Sequence, residues 1–186
     1  MRRVCGALSA VALAACTPQP QPAQTTQLPP LQAPGCTAQT SRDWSAVGSQ
    51  YYVIEAEARG DACADAIATL RIKSMDGAVL FSGDYPVRDV PLAFNPNNDQ
   101  TGLRNDIEAW IQNSADPATA NTLPAWPAGA ARPPGFEPRV GRSQYEAARG
   151  AQGPLFCFPD GAESNACVAM AGDNATLLGS LTPERP

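Results

Sequence analysis

Two periodicities run along this chain, in separate stretches. From Tyr51 to Ala58 (YYVIEAEA) apolar and polar positions alternate. Tyr52, Ile54, Ala56 and Ala58 share one face, and Tyr51, Val53, Glu55 and Glu57 the other; a period of two predicts a half-buried strand. Ala66 to Ser74 (AIATLRIKS) alternates again, with Ala66, Ala68, Leu70 and Ile72 inward and Thr69, Arg71 and Lys73 outward. Met75-Asp76-Gly77 follows. Asp-Gly between two alternating runs is a strong hairpin signal, so Ala78 to Tyr85 is the predicted returning strand. The three form an antiparallel meander with one polar face.

The apolar face needs a cover, and the pattern changes to supply one. Between Asn98 and Pro117, Leu103, Ile107, Trp110, Ile111 and Ser114 fall on one helical stripe. Asp99 or Thr101 can cap its start, and Asp116-Pro117 ends it. Residues 117–142 carry Pro124, Pro127, Pro133, Pro134 and Pro138, a long loop for a compact domain; Trp126 is the residue expected to pin it. Ser143 and Glu146 have capping-box spacing, and Gly150 is a stop signal. Three short apolar runs close the chain: Pro154 to Phe158, Ala166 to Ala171 and Thr176 to Leu181, separated by PDGAESN and GDN turns. The expectation is a small α+β domain, roughly βββα–loop–αβββ, with two helices and one antiparallel sheet or two.

The chain start follows neither period. Arg2 and Arg3 precede an apolar run, Val4 to Ala15, and Cys16 follows directly. A membrane-spanning helix takes about 20 apolar residues, so this run is too short to span and fits a secretory signal. Its end, Leu13-Ala14-Ala15-Cys16, resembles the lipobox of bacterial lipoproteins. That resemblance implies that the Cys16 thiol receives a diacylglycerol and that a dedicated peptidase cuts before it, discarding Cys5 with the signal. Thr17 in place of Asp after the cysteine implies, by the same resemblance, export to the outer membrane, facing the periplasm. Thr17 to Gly35 holds six prolines, five glutamines and no charge. Such a stretch favours polyproline II and cannot build a core; fully extended it spans roughly 60 Å. The predicted organisation is a signal peptide at 1–15, a lipidated cysteine and tether at 16–35, and one folded domain at 36–186.

Charge narrows the partners. Lys and Arg number 13 against 18 Asp and Glu, a net charge of −5; without Arg2 and Arg3 the remainder carries −7. An acidic body repels phosphate backbones, so nucleic acid is not an expected partner. Four cysteines remain in the body, an even number in a chain marked for export, which suggests disulfides. Three pairings are possible, and sequence separation favours Cys36–Cys63 and Cys157–Cys167. On the loop-entropy account these contribute roughly 3–4 and 2–3 kcal/mol.

Candidate chemistry is sparse. The chain has no histidine, which removes Ser-His-Asp and Cys-His arrangements and the commonest general base. With no Cys-x-x-Cys either, no zinc site is expected. Lys73 beside Ser74 has the residues of a Ser–Lys dyad but sits at a hairpin tip on the polar face. Glu55 and Glu57 point the same way, about 6.6–7 Å apart along a strand, a spacing that inverting glycosidases share with every exposed strand face. Asn95 to Thr101 (NPNNDQT) is rich in oxygen but lacks the carboxylate spacing of an EF-hand loop, so a turn feeding the helix cap is expected rather than a Ca²⁺ site. Asn174-Ala175-Thr176 matches a glycosylation sequon and reads as a hairpin turn. Arg132, Arg139, Arg142 and Arg149 make a locally basic stretch that reads as a solvated loop. Met75, Met170 and Trp110 read as packing residues.

No cofactor is called for. The expected function is a lipid-anchored envelope protein, not an enzyme, which binds membrane lipid through Cys16 and whose body binds another envelope protein or stabilises an assembly. Two alternatives are an inhibitor or binding module for a periplasmic hydrolase, to which small disulfide-bonded lysozyme-inhibiting lipoproteins are similar in architecture only, and a histidine-free envelope hydrolase using Glu55, Glu57 or an Asp.

Overall fold

A computed structural model describes residues 35–112 and 118–183. Cys16 and the predicted signal and tether up to Pro34 lie outside the described residues, as do Ser114 and the Asp116-Pro117 stop. The described residues hold two helices, two antiparallel sheets and two disulfides, an α+β fold.

The first sheet has strands β1 (Cys36–Ser45), β2 (Tyr51–Gly60), β3 (Ile67–Ser74) and β4 (Val79–Pro86), in that spatial order. It is the expected meander with one strand more. β1 was not anticipated, for a physical reason. It alternates Cys36, Ala38 and Trp44 inward, but Thr40 and Arg42 occupy the inward positions between them, so no apolar run marks it. Its full ten-residue register with β2 forms it instead, from Cys36 opposite Gly60 to Ser45 opposite Tyr51. The central strands follow the alternation. Ile54, Ala56, Ala58, Ala68, Leu70 and Ile72 are all fully buried.

Helix α1 (Gln100–Gln112) lies against β1 and β2 and buries Leu103, Ile107, Trp110 and Ile111. Asp99 is its cap: its Oδ1 accepts from the Gly102 N–H at 2.8 Å and its carbonyl from the Leu103 N–H at 2.9 Å. Two further bonds tie α1 to β1. The Gln100 side chain donates to the Thr37 carbonyl, and Arg42 donates to the Gln112 carbonyl, both at 3.3 Å. The helix does not cover the sheet alone, because the second sheet packs on the same core.

That second sheet has the order β5-β7-β8-β9-β6, from β5 (Ala118–Thr119), β6 (Phe136–Pro138), β7 (Pro154–Pro159), β8 (Asn165–Ala171) and β9 (Asn174–Leu181). β7, β8 and β9 were expected. β5 and β6 were not, since two and three residues inside a proline-rich stretch carry no period. They turn the 117–142 loop into the two edges of this sheet. Its near-continuous burial in β7 and β8 reflects two covered faces. Phe156, Phe158, Ala166, Val168 and Met170 face the first sheet, while Leu155, Cys167, Ala169 and Leu178 face the loop and helix α2 (Arg142–Ala151). β9 changes face at a bulge beside Gly179, whose φ is +147°. A Cβ there would collide with the Glu137 carbonyl, so only glycine lets β6 pair so closely.

The capping box at Ser143 and Glu146 does not form. Helix α2 starts one residue earlier, after Gly141, and no side chain caps it. The Glu146 carboxylate is drawn instead to the Trp126 N–H at 3.1 Å and to Arg149. The expected stop at Gly150 is also displaced: the helix runs to Ala151 and ends on Gln152 in the left-handed conformation. Asn174 begins β9 opposite Ala171, so the turn lies at Gly172-Asp173 and not on the sequon.

Two cores result. One lies between the sheets and holds an aromatic chain. Trp44 packs on Tyr52 and Phe156 at centroid distances of 5.4 and 5.2 Å; Trp110 packs on Phe94, Tyr85 and Phe158 at 5.0, 5.7 and 5.8 Å. Met170 belongs to it, as expected, whereas Met75 is exposed. The other lies under the loop, where Tyr145 packs on Trp126 and Phe136.

Candidate functional site

The outer face of the first sheet carries the charged residues that the alternation placed there. Register sets Glu55 opposite Arg71 and Ser41, Glu57 opposite Thr69 and Gln39, and Val53 opposite Lys73. Opposite charges on neighbouring strands meet at side-chain distance, the sheet's equivalent of helical pairs. Lys73 Nζ donates to Glu55 at 2.6 Å, and Arg71 Nη1 donates to Glu55 at 3.0 Å and to Glu57 at 3.3 Å. Arg59 closes the ladder on Glu57.

The ladder answers two sequence questions. The Glu55 and Glu57 side chains are 17% and 16% exposed, so the face is not fully solvated. The Lys73 bond, aided by Arg71, holds the Glu55 carboxyl below its ordinary range. A general acid needs the opposite shift. Lys73 is committed to Glu55 rather than to Ser74, whose hydroxyl turns to Asp76. The arrangement builds a cross-strand tie with no free acid–base pair.

The Asn95–Thr101 loop is consumed by its own contacts. Asp106 Oδ2 accepts from the Asn95 N–H at 2.9 Å and from the Asn98 amide at 2.8 Å, and Asn95 Oδ1 accepts from the Asn97 N–H. Its oxygens hold the entry to α1, and among the described residues no group of three or more Cys, Asp or Glu could hold a metal.

The four arginines do not form a solvated loop: Arg142 and Arg149 lie on α2, and three of the four have internal work. Arg142 donates to the Trp126 carbonyl at 2.9 Å, Arg149 to the Leu123 carbonyl at 3.0 Å and to Glu146, and Arg132 pairs with Glu137. They explain how a proline-rich chain stays ordered: guanidinium groups take carbonyls that no strand reaches. Trp126 pins the loop as expected, through the Ala130 carbonyl and Tyr145. The Tyr145 hydroxyl donates to the Pro124 carbonyl at 2.7 Å, and burial pushes its pKa up to about 12. Tyr85 is likewise raised to about 12, first by burial and then by Asp160.

A concavity of about 860 Å³ opens between this loop, the turn from β7 to β8 and the residues that follow β9. Pro127, Pro133, Pro134 and Phe136 give it an apolar wall, and Arg132, Glu137 and Glu163 a charged rim. Sequence reasoning could not assemble it, because residues from 127 to 183 meet there only once β6 pairs with β9. Arg132 and Glu137 pair with each other on this rim.

The four body cysteines are joined as Cys36–Cys63 and Cys157–Cys167. The first closes the start of β1 onto the turn after β2; the second joins directly opposed residues of β7 and β8. Comparison with protein-family models, curated proteins and solved structures returns no match. The fold and surfaces therefore define a class only by their own features: a two-sheet α+β body fastened by two disulfides, one charged ladder and a proline-bound loop.

Proposed function

We propose that this is an exported envelope protein, anchored by lipid on Cys16, with a non-catalytic body that binds another envelope protein. The observation that carries the reading is the seam at Leu13-Ala14-Ala15-Cys16, with Arg2, Arg3 and the short apolar run before it. The rest supports it. Disulfides persist in oxidising compartments and are rare in the cytosol. Thr17 to Gly35 is a spacer by composition. The proline-walled concavity supplies a surface for a partner, and the candidate carboxylates Glu55 and Glu57 are bound in ion pairs. By the lipobox resemblance the anchor lies in the outer membrane, facing the periplasm.

The test is Cys16→Ser in cells supplied with labelled fatty acid. Loss of label and accumulation of the longer precursor are expected. A variant that is still processed and labelled would remove the anchor from the proposal.

A further inference from the structure

The two free edges of the first sheet differ. β1 is obstructed: α1 lies along it, Gln100 occupies the Thr37 carbonyl and Arg42 reaches the Gln112 carbonyl. β4 has no helix along it: β9 of the second sheet touches it, but among the described residues β3 is the only strand paired with it. The Val87 N–H donates to the Ala66 carbonyl at 2.9 Å, and Ile67 stands opposite Pro86. Antiparallel alternation then spends the backbones of Tyr85, Gly83 and Phe81 on β3 and turns those of Ser82 and Asp84 outward. The apolar side chains along this edge are also incompletely covered. Ile54, Ala56, Ala58, Ala68, Leu70 and Ile72 of β2 and β3 are fully buried, whereas Leu80, Phe81 and Tyr85 are half-buried; Val79 and Met75 are 54% and 62% exposed. Unpaired backbone beside apolar surface is a template for strand addition.

We infer that a second copy of this chain docks here, β4 against β4 about a two-fold axis at Gly83. The pairing is self-complementary. Ser82 of each copy faces Asp84 of the other, and each pair exchanges two backbone hydrogen bonds. Asp84 Oδ1 already accepts from Thr69 at 2.7 Å, which leaves its second oxygen for the opposing Ser82 hydroxyl. On the inner face Phe81 meets Tyr85 of the other copy, an aromatic cross-strand pair. Gly83 on the axis has no side chain of its own, and the Tyr85 ring of the same strand lies over it on the inner face. Other registers are worse. One step puts Asp84 against Asp84 and sets Ser82 against Pro86, which has no N–H; the opposite step runs into the irregularity opposite Ile72 and Lys73. Because α1 obstructs β1, addition stops at two copies and yields one eight-stranded sheet.

The test uses purified full chain in detergent, by sedimentation and by disulfide trapping under mild oxidant. Wild type should show a dimer that dissociates on dilution. Ser82→Pro removes only an outward N–H, at an edge position that tolerates proline; it should be monomeric with an unchanged melting temperature. A mixture of Ser82→Cys and Asp84→Cys chains should trap a mixed dimer, since opposed Cα atoms of such a pair lie about 5.5 Å apart, within disulfide reach. Either variant alone should trap little. Wild type that sediments as one copy at every concentration would overturn the inference. So would a Ser82→Pro dimer, or Ser82→Cys chains that link to each other as readily as to Asp84→Cys chains.

Discussion

The two cores are built on opposite plans. Between the sheets, regular strands bring apolar side chains together, and the polar work is done outside by the Glu55–Arg71–Lys73 ladder. Under the loop, the backbone is irregular, so side chains must satisfy carbonyls directly, as Arg142, Arg149 and Tyr145 do. Hydrophobic burial is indifferent to direction, and hydrogen bonds are not. The first core should therefore fail as a unit when a large side chain is removed, and the second should fail locally when a single bond is lost.

The largest effect is expected at Trp110. It contacts three aromatic rings and donates from Nε1 to the Pro159 carbonyl at 2.9 Å. Trp110→Ala should cost about 3–5 kcal/mol in denaturant unfolding, with fluorescence and circular dichroism transitions moving together. The disulfides rank next. Cys36–Cys63 spans 27 residues and Cys157–Cys167 spans 10. Replacing each pair by alanine should cost about 3.5 and about 2.7 kcal/mol on the loop-entropy account. Equal costs, or a reversed order, would show that local packing outweighs loop length.

Tyr145→Phe removes one hydroxyl from the second core. A cost of about 1–2 kcal/mol is expected, with hydrogen exchange quickening around Pro124 and Trp126 and the inter-sheet core unaffected. The same tyrosine gives an alkaline signature. Its folded pKa is raised to about 12 from 10.0, so its stabilisation is intact below pH 10 and is lost as pH rises towards 12. Tyr85 adds a like loss from the first core. Tyr145→Phe should shallow this alkaline fall, as followed by thermal melting. The smallest effect is at the ladder. Glu55→Gln should cost about 0.2–1 kcal/mol at neutral pH. The Glu55 pKa is lowered in the folded state, so its contribution is present above the ordinary glutamate range and is lost as pH falls through the folded value. The gap between wild type and variant should therefore close in acid.

What could be read from sequence divides along the same line. Ile54, Leu70, Ile72 and the α1 stripe were legible because burial on one side imposes a period. β1 was not, because Thr40 and Arg42 interrupt its inward face and a ten-residue register, absent from any local window, holds it in place. β6 exists because Gly179 lets it approach β9, a contact between residues some forty positions apart. Ser143 and Glu146 had the right spacing for a cap, but Trp126 offered Glu146 a better donor. The outward placement of Glu55, Glu57, Arg71 and Lys73 was legible; their mutual pairing needed the register. The concavity bounded by Pro133, Phe136 and Glu163 was not legible at all, since it forms only in the assembled sheet.

The most direct measurement of the functional account is the mass of the N-terminal peptide of the protein taken from membranes. The account predicts a peptide that begins at Cys16 and carries a diacylglycerol, with Arg2 to Ala15 gone. An unmodified Cys16, or a chain that keeps Val4 to Ala15, would contradict it.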